Sequence, residues 1–461
     1  MRVIADFPRR FDRGSDFSSE QITVFIKKMR IIADLQIHSK YSRACSQDLN
    51  PTNIGAWADK KGIGVVGTGD FTHPKWLMEL KEALEEAKPG LYQLRDKSAR
   101  VYFMPTSEVS SIYKQGDKVR RVHNMIFAPD FKAVDRIVAG LEKAGANLKA
   151  DGRPIMGVHC DTLVKIVKEA DEHAEVIPAH AWTPHFGVFG SLSGFNSIEE
   201  AFGDQAKHIR AIETGLSSDP KMNWQISGLD KYSLTSNSDA HSLRKLGREA
   251  NVFEMAEKKL SNLEIISALY SKDPARFLYT LEFFPEEGKY HLDGHRDCKF
   301  SCLPAQTKKL GGICPVCGKK LLVGVLNRVD ELADRELGFV PPRAIPYKSV
   351  IPLEEIIAET LGVGVQSKKV TGMYEQMVGA QVASSKNQES RATNEFEILL
   401  DLQEEQIAAI SNKEIATSVL RVRNGQVHIA GGYDGVFGKI ELYYKGEREK
   451  MFPKPKQTSL F

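Results

Sequence analysis

Short apolar runs that end in polar side chains recur along the first 285 residues of the chain. The first apolar run, residues 31–33, leads into Gln36 and His38. Because side chains two positions apart point to the same side of a strand, these two groups can reach one point in space. The pattern predicts a buried strand with a functional site at its C-terminal end.

Four later apolar runs, at residues 65–68, 101–104, 176–179 and 234–238, end in the same way. The polar side chains that follow them are, in chain order, Asp70 and His73, Glu108, His180, and Asp239 with His241. His123 and Glu213 lie beside similar runs. A single His is more often a core or surface residue than a ligand. Five clusters of imidazoles and carboxylates at strand ends instead predict two or three divalent cations, of Zn, Mg or Mn.

Segments whose apolar residues recur at helical spacing separate these strands. One helix is predicted to begin at Pro51 and end at Gly62, and a second, opened by Pro74, continues through Leu84 to a stop at residues 88–90. Strand–helix alternation continues to about residue 285. It predicts a parallel, barrel-like α/β domain over residues 29–285.

The bulk composition narrows the function classes. The 461 residues are 42% hydrophobic and 27% charged, which is typical of a soluble protein of two or three domains. A formal charge of +3 gives no global basic field, so any DNA-binding surface must be local. The sequence contains no apolar run of about 18 residues, so no membrane span is predicted. It also shows no signal-peptide pattern. We expect a reducing, cytoplasmic location without membrane partners.

Residues 286–340 predict a small zinc-binding domain. Cys298, Cys314 and Cys317 are strong ligand candidates, and either Cys302 or His295 supplies the fourth ligand. The alternative is a loop of unligated cysteines. A structural zinc ion would stabilise a module that has little core of its own.

The remaining segments predict peripheral parts. Residues 1–28 form an N-terminal extension, which is either a peripheral strand and helix or sequence upstream of the true start at Met29. Residues 341–450 are mainly helical, with a polar loop at 383–394. The tail, residues 451–461, ends in Gln457, Leu460 and Phe461, and suits a peptide that docks on a partner.

Several residues are candidates for substrate contact, each with a structural alternative. A basic segment before His123 either contacts phosphates or forms a solvated loop. An aromatic, glycine-rich loop after His180 either stacks on an unpaired base or packs over the site. The candidates are Lys114, Lys118, Arg120, Arg121, Trp182, Phe186, Phe189, Ser191, Ser218 and Lys439.

Taken together, these motifs resemble a known superfamily. Gln36, His38, Asp70, Glu108, His123, His180, Asp239 and His241 resemble the metal motifs of the polymerase-and-histidinol-phosphatase (PHP) superfamily. Segments 41–46, 68–73 and 179–184 and the Cys-Pro-Val-Cys knuckle are similar to the endonuclease Q family, over roughly residues 29–445. This resemblance implies a distorted (β/α)7 barrel with a trinuclear metal centre. It also implies that the zinc module and the helical C-terminal domain bind DNA.

The activity that the resemblance implies is DNA repair. Members of the endonuclease Q family cut the strand 5′ of deaminated bases (uracil, hypoxanthine and xanthine) and of abasic sites. The tail resembles peptides that bind the DNA sliding clamp. One departure is Gln36, where the superfamily usually has His. A neutral amide is a weaker ligand, so one metal would be loosely held or a harder ion preferred.

Two other functions remain open from the sequence. One is a PHP-type phosphatase that acts on a small phosphomonoester, against which the zinc knuckle and the tail argue. The other, motivated by Gln36, is a non-catalytic, clamp-tethered protein that binds lesions.

Overall fold

The computed structural model describes residues 27–383 and 390–452. The predicted N-terminal extension, apart from residues 27 and 28, and the clamp-binding residues of the tail lie outside the described residues. So does the centre of the predicted loop at 383–394, whose flanks pair as two short strands. No helix in the described ranges is long and apolar enough to cross a bilayer.

Up to residue 282 strands alternate with helices, with two exceptions. The strands are β1 (Lys28–Asp34), β2 (Val65–Gly67), β3 (Leu84–Lys88), β4 (Leu91–Leu94), β5 (Tyr102–Met104), β6 (Thr106–Gln115), β7 (Lys118–Phe127), β8 (Ile155–Met156), β9 (Glu175–Pro178), β10 (Ala211–Glu213), β11 (Ser233–Thr235), β12 (Ala250–Ala256) and β13 (Phe277–Glu282). The helices are α1 (Pro51–Lys61), α2 (Pro74–Ala83), α3 (Phe131–Lys143), α4 (Cys160–Ala170), α5 (Ile198–Phe202), α6 (Pro220–Asn223) and α7 (Asn262–Ser271). The exceptions are that β3 to β7 follow one another and that β12 follows β11 without an intervening α-helix.

Helices dominate the second half. Its elements are β14 (Asp293–His295), β15 (Phe300–Cys302), α8 (Pro304–Lys309), α9 (Val325–Leu332), β16 (Tyr347–Ser349), α10 (Leu353–Leu361), α11 (Lys368–Met377), β17 (Gln381–Ala383), β18 (Ser390–Ala392), α12 (Glu395–Leu400), α13 (Glu404–Ile410), α14 (Lys413–Arg423), β19 (His428–Ala430), β20 (Lys439–Glu441) and α15 (Glu447–Met451). Short 3₁₀ turns connect several of them.

The architecture is a mixed α/β fold. One sheet has the order β16-β13-β12-β1-β2-β5-β4-β3, and a second has the order β8-β6-β7-β9. The β1, β2 and β5 strands are parallel, but β12 pairs antiparallel with both β1 and β13. The prediction of a parallel domain is therefore wrong in part. The β6 and β7 strands are joined by a tight turn at Gly116 (φ +60°), and a connection this short allows only antiparallel pairing.

The first predicted helix is confirmed at both ends. The Asn50 side chain accepts a hydrogen bond from the N–H of Asn53 at 2.9 Å, and Gly62 ends α1 in the left-handed region at φ +87°. The second predicted helix ends one turn early, at Ala83. Leu84 instead pairs with Leu94 across the β3–β4 hairpin, which hydrogen-bonds the backbone and buries Leu84.

A buried ion pair connects α1 to α12. The Nζ atom of Lys61 lies 2.8 Å from Glu395 Oε2, and both side chains are about 5% exposed or less. Glu395 also accepts hydrogen bonds from the Tyr374 hydroxyl (2.8 Å) and the Leu353 N–H (3.1 Å). The Glu395 carboxylate thus pairs with three donors at once, from Lys61, Tyr374 and Leu353.

Glu395→Ala should lower the free energy of unfolding by about 3 kcal/mol or more, because it leaves the Lys61 charge buried without a partner. Urea denaturation measures this. The matched control is Glu375→Ala, which breaks the neighbouring exposed pair with Lys60 (2.8 Å) and should cost less than about 1 kcal/mol. Equal losses in the two variants would contradict a structural role for the buried pair.

Candidate metal centre

The polar residues predicted at the strand ends lie together in the structure. The chain after β1 continues straight to His38, whose N–H donates to the Ala240 carbonyl at 3.0 Å, so the segments that follow β1 and β11 run side by side. Gln36, His38, Asp70, Glu108, His123 and His180 are all buried, each less than 9% exposed.

These side chains form two groups whose ligand atoms lie within 4.8 Å of one another. The first group is His38, Asp239 and His241, and the second is Glu108, His123 and His180. In the first group, His38 Nε2 is 3.0 Å from Asp239 Oδ1. In the second, His180 Nε2 is 3.2 Å from both Glu108 Oε1 and His123 Nδ1.

Glu108 connects the two groups. Its Oε1 atom contacts both imidazoles of its own group, whereas its Oε2 atom lies 3.1 Å from His38 Nε2 in the other. A carboxylate that presents one oxygen to each of two ligand sets is suited to bridge two cations. This geometry requires the β6–β7 hairpin, because Glu108 on β6 and His123 on β7 occupy nearby positions of the two strands.

Buried polar atoms without partners support a cation-binding role. Within the described residues, Gln36 Oε1 and His180 Nδ1 are buried and make no hydrogen bond. The amide nitrogen of Gln36 donates to Glu108 Oε2 at 2.9 Å, so this side chain is held at the edge of the ligand set. An unpaired buried acceptor costs about 1–3 kcal/mol, which a bound cation would offset. The donor set of imidazole, carboxylate and amide oxygen suits Zn²⁺, Mn²⁺ or Mg²⁺.

The surroundings hold His123 and Glu108 in the forms that bind cations, whereas they favour a protonated His38. Burial lowers the pKa of His123 to about 4 and outweighs the attraction of Glu108, so this imidazole is neutral at pH 7. Burial raises the pKa of Glu108, but Arg153 and His123 outweigh it and hold that pKa well below its ordinary value. For His38, burial opposes protonation, yet Asp70 and Asp239 raise its pKa. A cation would take the place of the proton that these carboxylates attract.

Asp70 lies behind His38 and in neither ligand group. Its Oδ1 atom is 3.0 Å from His38 Nδ1, and its Oδ2 atom accepts hydrogen bonds from Ser39 and from the Ser42 hydroxyl (2.8 Å). The carboxylate thereby orients the ring so that Nε2 faces Asp239 and Glu108. Asp70 was predicted to bind a cation directly. In the structure its carboxylate oxygens instead face hydrogen-bond donors.

Asp70→Asn should weaken Mn²⁺ binding by about 10- to 100-fold, because an amide no longer fixes the tautomer of His38. Calorimetric titration of the metal-free protein with Mn²⁺ gives the affinity directly. Asp96→Asn, in an exposed turn, is the control and should bind Mn²⁺ as the parent does. An unchanged affinity in the Asp70 variant would exclude the orienting role.

His73 and Glu213 also lie outside the ligand groups. His73 caps α2, its Nδ1 atom accepts the Trp76 N–H at 3.4 Å, and its ring stacks on Tyr41. It therefore serves as the cap of α2 and is in none of the candidate ligand groups. Glu213 accepts the His180 N–H at 2.7 Å, and burial raises its pKa to about 8. It supports the backbone that carries His180.

Three site residues have left-handed backbone conformations that residues other than glycine rarely adopt. Asp70, His180 and Asp239 have φ angles of +46°, +29° and +47°. Each such conformation costs about 1–3 kcal/mol and persists only where the surrounding structure enforces it. Strain at residues that closely follow three different strands is typical of a functional site.

A cleft of about 490 Å³ opens over the two ligand groups. Its lining includes five side chains for which the sequence offered no site prediction: Arg43, Ser110, Asp151, Arg153 and His185. Arg153 lies in an irregular loop between α3 and β8, where periodicity carries no signal. Arg43 lies within a segment that resembles the family, which was the one available hint.

The aromatic loop after His180 is largely structural. Trp182 and Phe189 are at most 2% exposed, and Trp182 Nε1 donates to Asn223 at 2.8 Å, so their predicted stacking on a base is wrong. Phe186 alone among the three lines the cleft, with its ring 4.4 Å from that of His123. Ser191 is exposed outside the cleft lining.

Two other predicted contacts are also buried. Ser218 donates to the Thr214 carbonyl at 2.9 Å, and its neighbour Ser217 lines the cleft instead. Arg120 is held by Glu200 (3.0 Å) and by the ring of Phe195, so it is a structural cation. Both residues therefore differ from their predicted place in substrate contact, because Ser218 is fully buried and Arg120 is only 8% exposed.

The remaining basic candidates are accessible. Lys114, Lys118 and Lys439 are exposed, and Arg121 is half-buried. The segment from residue 114 to 121 is the tip of the β6–β7 hairpin. Strand geometry places Lys114 about 20 Å from Glu108, whereas Arg121 lies two positions from His123 on β7. Lys114, at the tip, could contact only a long substrate.

A third group of ligand atoms lies in the predicted zinc module. His295, Cys298, Cys314 and Cys317 have ligand atoms within 4.8 Å of one another. Cys302 is buried and is not among them, and its sulfur lies 3.2 Å from the Thr307 hydroxyl. Of the two candidates for the fourth ligand, the geometry favours His295.

Comparison with known proteins identifies relatives along most of the chain. A family profile described as the MJ0043 C-terminal domain matches residues 352–426, which hold α10–α14. The chain is 27% identical to the uncharacterized protein YqxK of Bacillus subtilis over 426 residues, which cover 89% of this chain and 99% of that protein. It is 31% identical over 277 residues to the uncharacterized protein MJ0043 of Methanocaldococcus jannaschii, of which it spans 31%.

Two solved structures are similar over nearly the whole chain. The lesion-specific endonuclease PfuEndoQ from Pyrococcus furiosus has a TM-score of 0.76 at 30% identity, covering 90% of this chain and 95% of that one. Endonuclease Q in complex with a 27-mer duplex substrate, with an abasic lesion at the active site, has a TM-score of 0.75 at 30% identity and covers 90% and 96%.

Proposed function

The chain belongs to the endonuclease Q family, and we propose that it is a DNA repair endonuclease that uses divalent cations to hydrolyse a phosphodiester bond. The observation that carries this proposal is the position of Glu108, with one oxygen toward each of two ligand groups. Two cations about 3.5–4 Å apart are the usual device for in-line displacement at phosphorus.

The proposed substrate is duplex DNA with a damaged base. We propose that the strand is nicked 5′ of uracil, hypoxanthine, xanthine or an abasic site. The support is the relative that was solved with an abasic duplex. A deaminated or missing base pairs poorly, which lowers the cost of extruding it toward the cleft. Phe186 is the aromatic side chain placed to meet it there.

In the proposed mechanism, His38, Asp239 and His241 would hold one cation, and Glu108, His123 and His180 would hold another, with Gln36 completing the set. When bound, the cations lower the pKa of water and neutralise charge on the phosphoryl oxygens. Glu108 contributes because its low pKa keeps it ionised between the groups. Asp70 holds the ring of His38 in one orientation, and the buried walls limit access of bulk water.

His241→Ala should abolish nicking and leave the fold intact, because the side chain is about one-third exposed at the cleft and supports no core. A nicking assay on a uracil duplex together with a thermal unfolding curve checks both parts. His173→Ala, at an exposed turn, is the matched control. A folded His241 variant that nicks at the parental rate would contradict its assignment as a ligand.

One experiment tests the function itself. End-labelled duplexes that carry uracil, hypoxanthine, xanthine or an abasic site are incubated with the protein in Mg²⁺, Mn²⁺ or Zn²⁺, beside p-nitrophenyl phosphate. Cutting of damaged duplex supports the proposal. Turnover of the small ester alone would favour a phosphatase, and stoichiometric binding without a cut would favour a non-catalytic lesion-binding protein.

The other parts keep their proposed roles. We propose that residues 29–285 form the PHP barrel, and that the zinc module (286–340) and the helical segment (341–450) contact the DNA flanks, where Lys439 is exposed. The clamp-binding peptide at Gln457, Leu460 and Phe461 remains a prediction from the sequence.

A further inference from the structure

Two arginines line the cleft beside the metal centre. Arg153 Nη1 lies 3.6 Å from Glu108 Oε2, and the side chain is 22% exposed. Among the residues that line this cleft, Arg43 and Arg153 are the ones with a permanent positive charge. Within the described part of the chain, the guanidinium of Arg153 donates no hydrogen bond, so its N–H groups are free to meet a ligand.

One carboxylate positions both arginines. Asp151 Oδ1 accepts the backbone N–H of Arg43 at 3.3 Å and that of Arg153 at 3.0 Å. The loop between them is anchored behind the metal centre, because the Gly152 N–H donates to the Tyr41 carbonyl at 3.0 Å. A Cβ atom at Gly152 would lie 2.4 Å from Asp70 Oδ2, so this close approach requires glycine.

A purely structural role does not account for this placement. A structural arginine beside a buried carboxylate normally forms two short parallel hydrogen bonds, whereas Arg153 makes one contact at 3.6 Å. Two cations near Glu108 would repel the guanidinium further toward the cleft. The planar fork of arginine then matches two non-bridging oxygens of a phosphate.

We propose that Arg153 binds the phosphate that is cut and that Arg43 binds a neighbouring phosphate of the same strand; the assignment to a scissile phosphate rests on the proposed function. During hydrolysis a water oxygen bonds to phosphorus, the bond to one sugar oxygen breaks, and a proton from water passes to that leaving oxygen. Negative charge grows on the non-bridging oxygens, and Arg153 is placed to stabilise it.

Steady-state kinetics on a damaged duplex separates the two roles. Arg153→Ala should lower kcat by about 10²–10³-fold, as expected for loss of one donor to a developing oxyanion. Arg153→Lys should retain part of the kcat that Arg153→Ala loses, because lysine keeps the positive charge but lacks the planar pair of guanidinium donors. Arg43→Ala should mainly raise KM and reduce the slope of log Kd against log salt by about one. Arg100→Ala, at the opposite ends of the strands and 87% exposed, is the control.

Calorimetric binding of inorganic phosphate to the Mn²⁺-loaded protein is the second readout and needs no DNA. Arg153→Ala should weaken phosphate binding at least tenfold while its Mn²⁺ stoichiometry stays parental. If the parent nicks and Arg153→Ala nicks equally fast, the inference fails and the proposed function stands. If the parent cuts no duplex, but Arg153→Ala binds inorganic phosphate more weakly than the parent does, the arginine site stands and the proposed function fails. Loss of Mn²⁺ in Arg153→Ala would reveal a structural role and overturn the inference.

Discussion

Glu108→Gln is expected to lower the rate of nicking by about 10³-fold or more, which corresponds to about 4 kcal/mol of lost transition-state stabilisation. The substitution keeps the size of the side chain but replaces one anionic oxygen with an amide N–H. That group cannot serve as a ligand, so one of the two groups loses its connection to the other. The charge that balances two cations is lost as well.

Single-turnover nicking and Mn²⁺ titration measure this effect together. We expect the Glu108 variant to bind at least one Mn²⁺ ion fewer or much more weakly than the parent. Glu254→Gln is the matched control, since Glu254 also lies on a strand but pairs with Lys28 at the surface (3.0 Å). A folded Glu108 variant that nicks within tenfold of the parent would show that Glu108 does not bridge cations.

Cys314→Ser is expected to remove zinc from the knuckle and unfold the surrounding module. The local core is small, formed by Cys302, Cys314 and Leu321 with a few partly buried neighbours, so it offers little hydrophobic stabilisation. Structural zinc contributes about 10 kcal/mol or more of binding free energy, and that energy is folding energy for such a module. Burial favours the thiol of Cys314, but the N–H groups of Val316 and Cys317 outweigh it and lower its pKa, which favours the thiolate ligand.

Native mass spectrometry and limited proteolysis report the outcome. The Cys314 variant should contain one zinc ion fewer than the parent and should be cleaved rapidly within residues 293–323. His295→Ala should also lose zinc, whereas Cys302→Ser should keep it, since the Cys302 sulfur contacts the Thr307 hydroxyl and is not among the four candidate ligands. A Cys314 variant with the parental zinc content and protease resistance would leave the knuckle without a structural metal.

The grouping of the candidate ligands was predictable because it follows a local rule. An apolar strand delivers the polar residues that follow it to the edge where the strand ends, so His38, His180 and Asp239 could be grouped without knowledge of the contacts. The rule does not distinguish a ligand from the residue behind it. For this reason Asp70 was predicted as a ligand, although its carboxylate is occupied by donors and orients His38.

Features that depend on burial or on irregular backbone were not predictable. Trp182 and Phe189 resemble stacking residues in sequence, and only the packed structure shows that their faces are covered. Arg153 acts through a loop whose path is set by Gly152 against Asp70, a contact between distant segments. The early end of α2 has a similar cause, because the partner strand that captures Leu84 lies outside the helical pattern.

The central claim of the proposal is that residues from distant segments would hold two cations, one on each side of Glu108. The most direct measurement is anomalous diffraction from crystals soaked in Mn²⁺. We predict two anomalous peaks, one among His38, Asp239 and His241 and one among Glu108, His123 and His180, each within coordination distance of a Glu108 oxygen. Peaks that lie elsewhere, or an absence of peaks at saturating Mn²⁺, would contradict it.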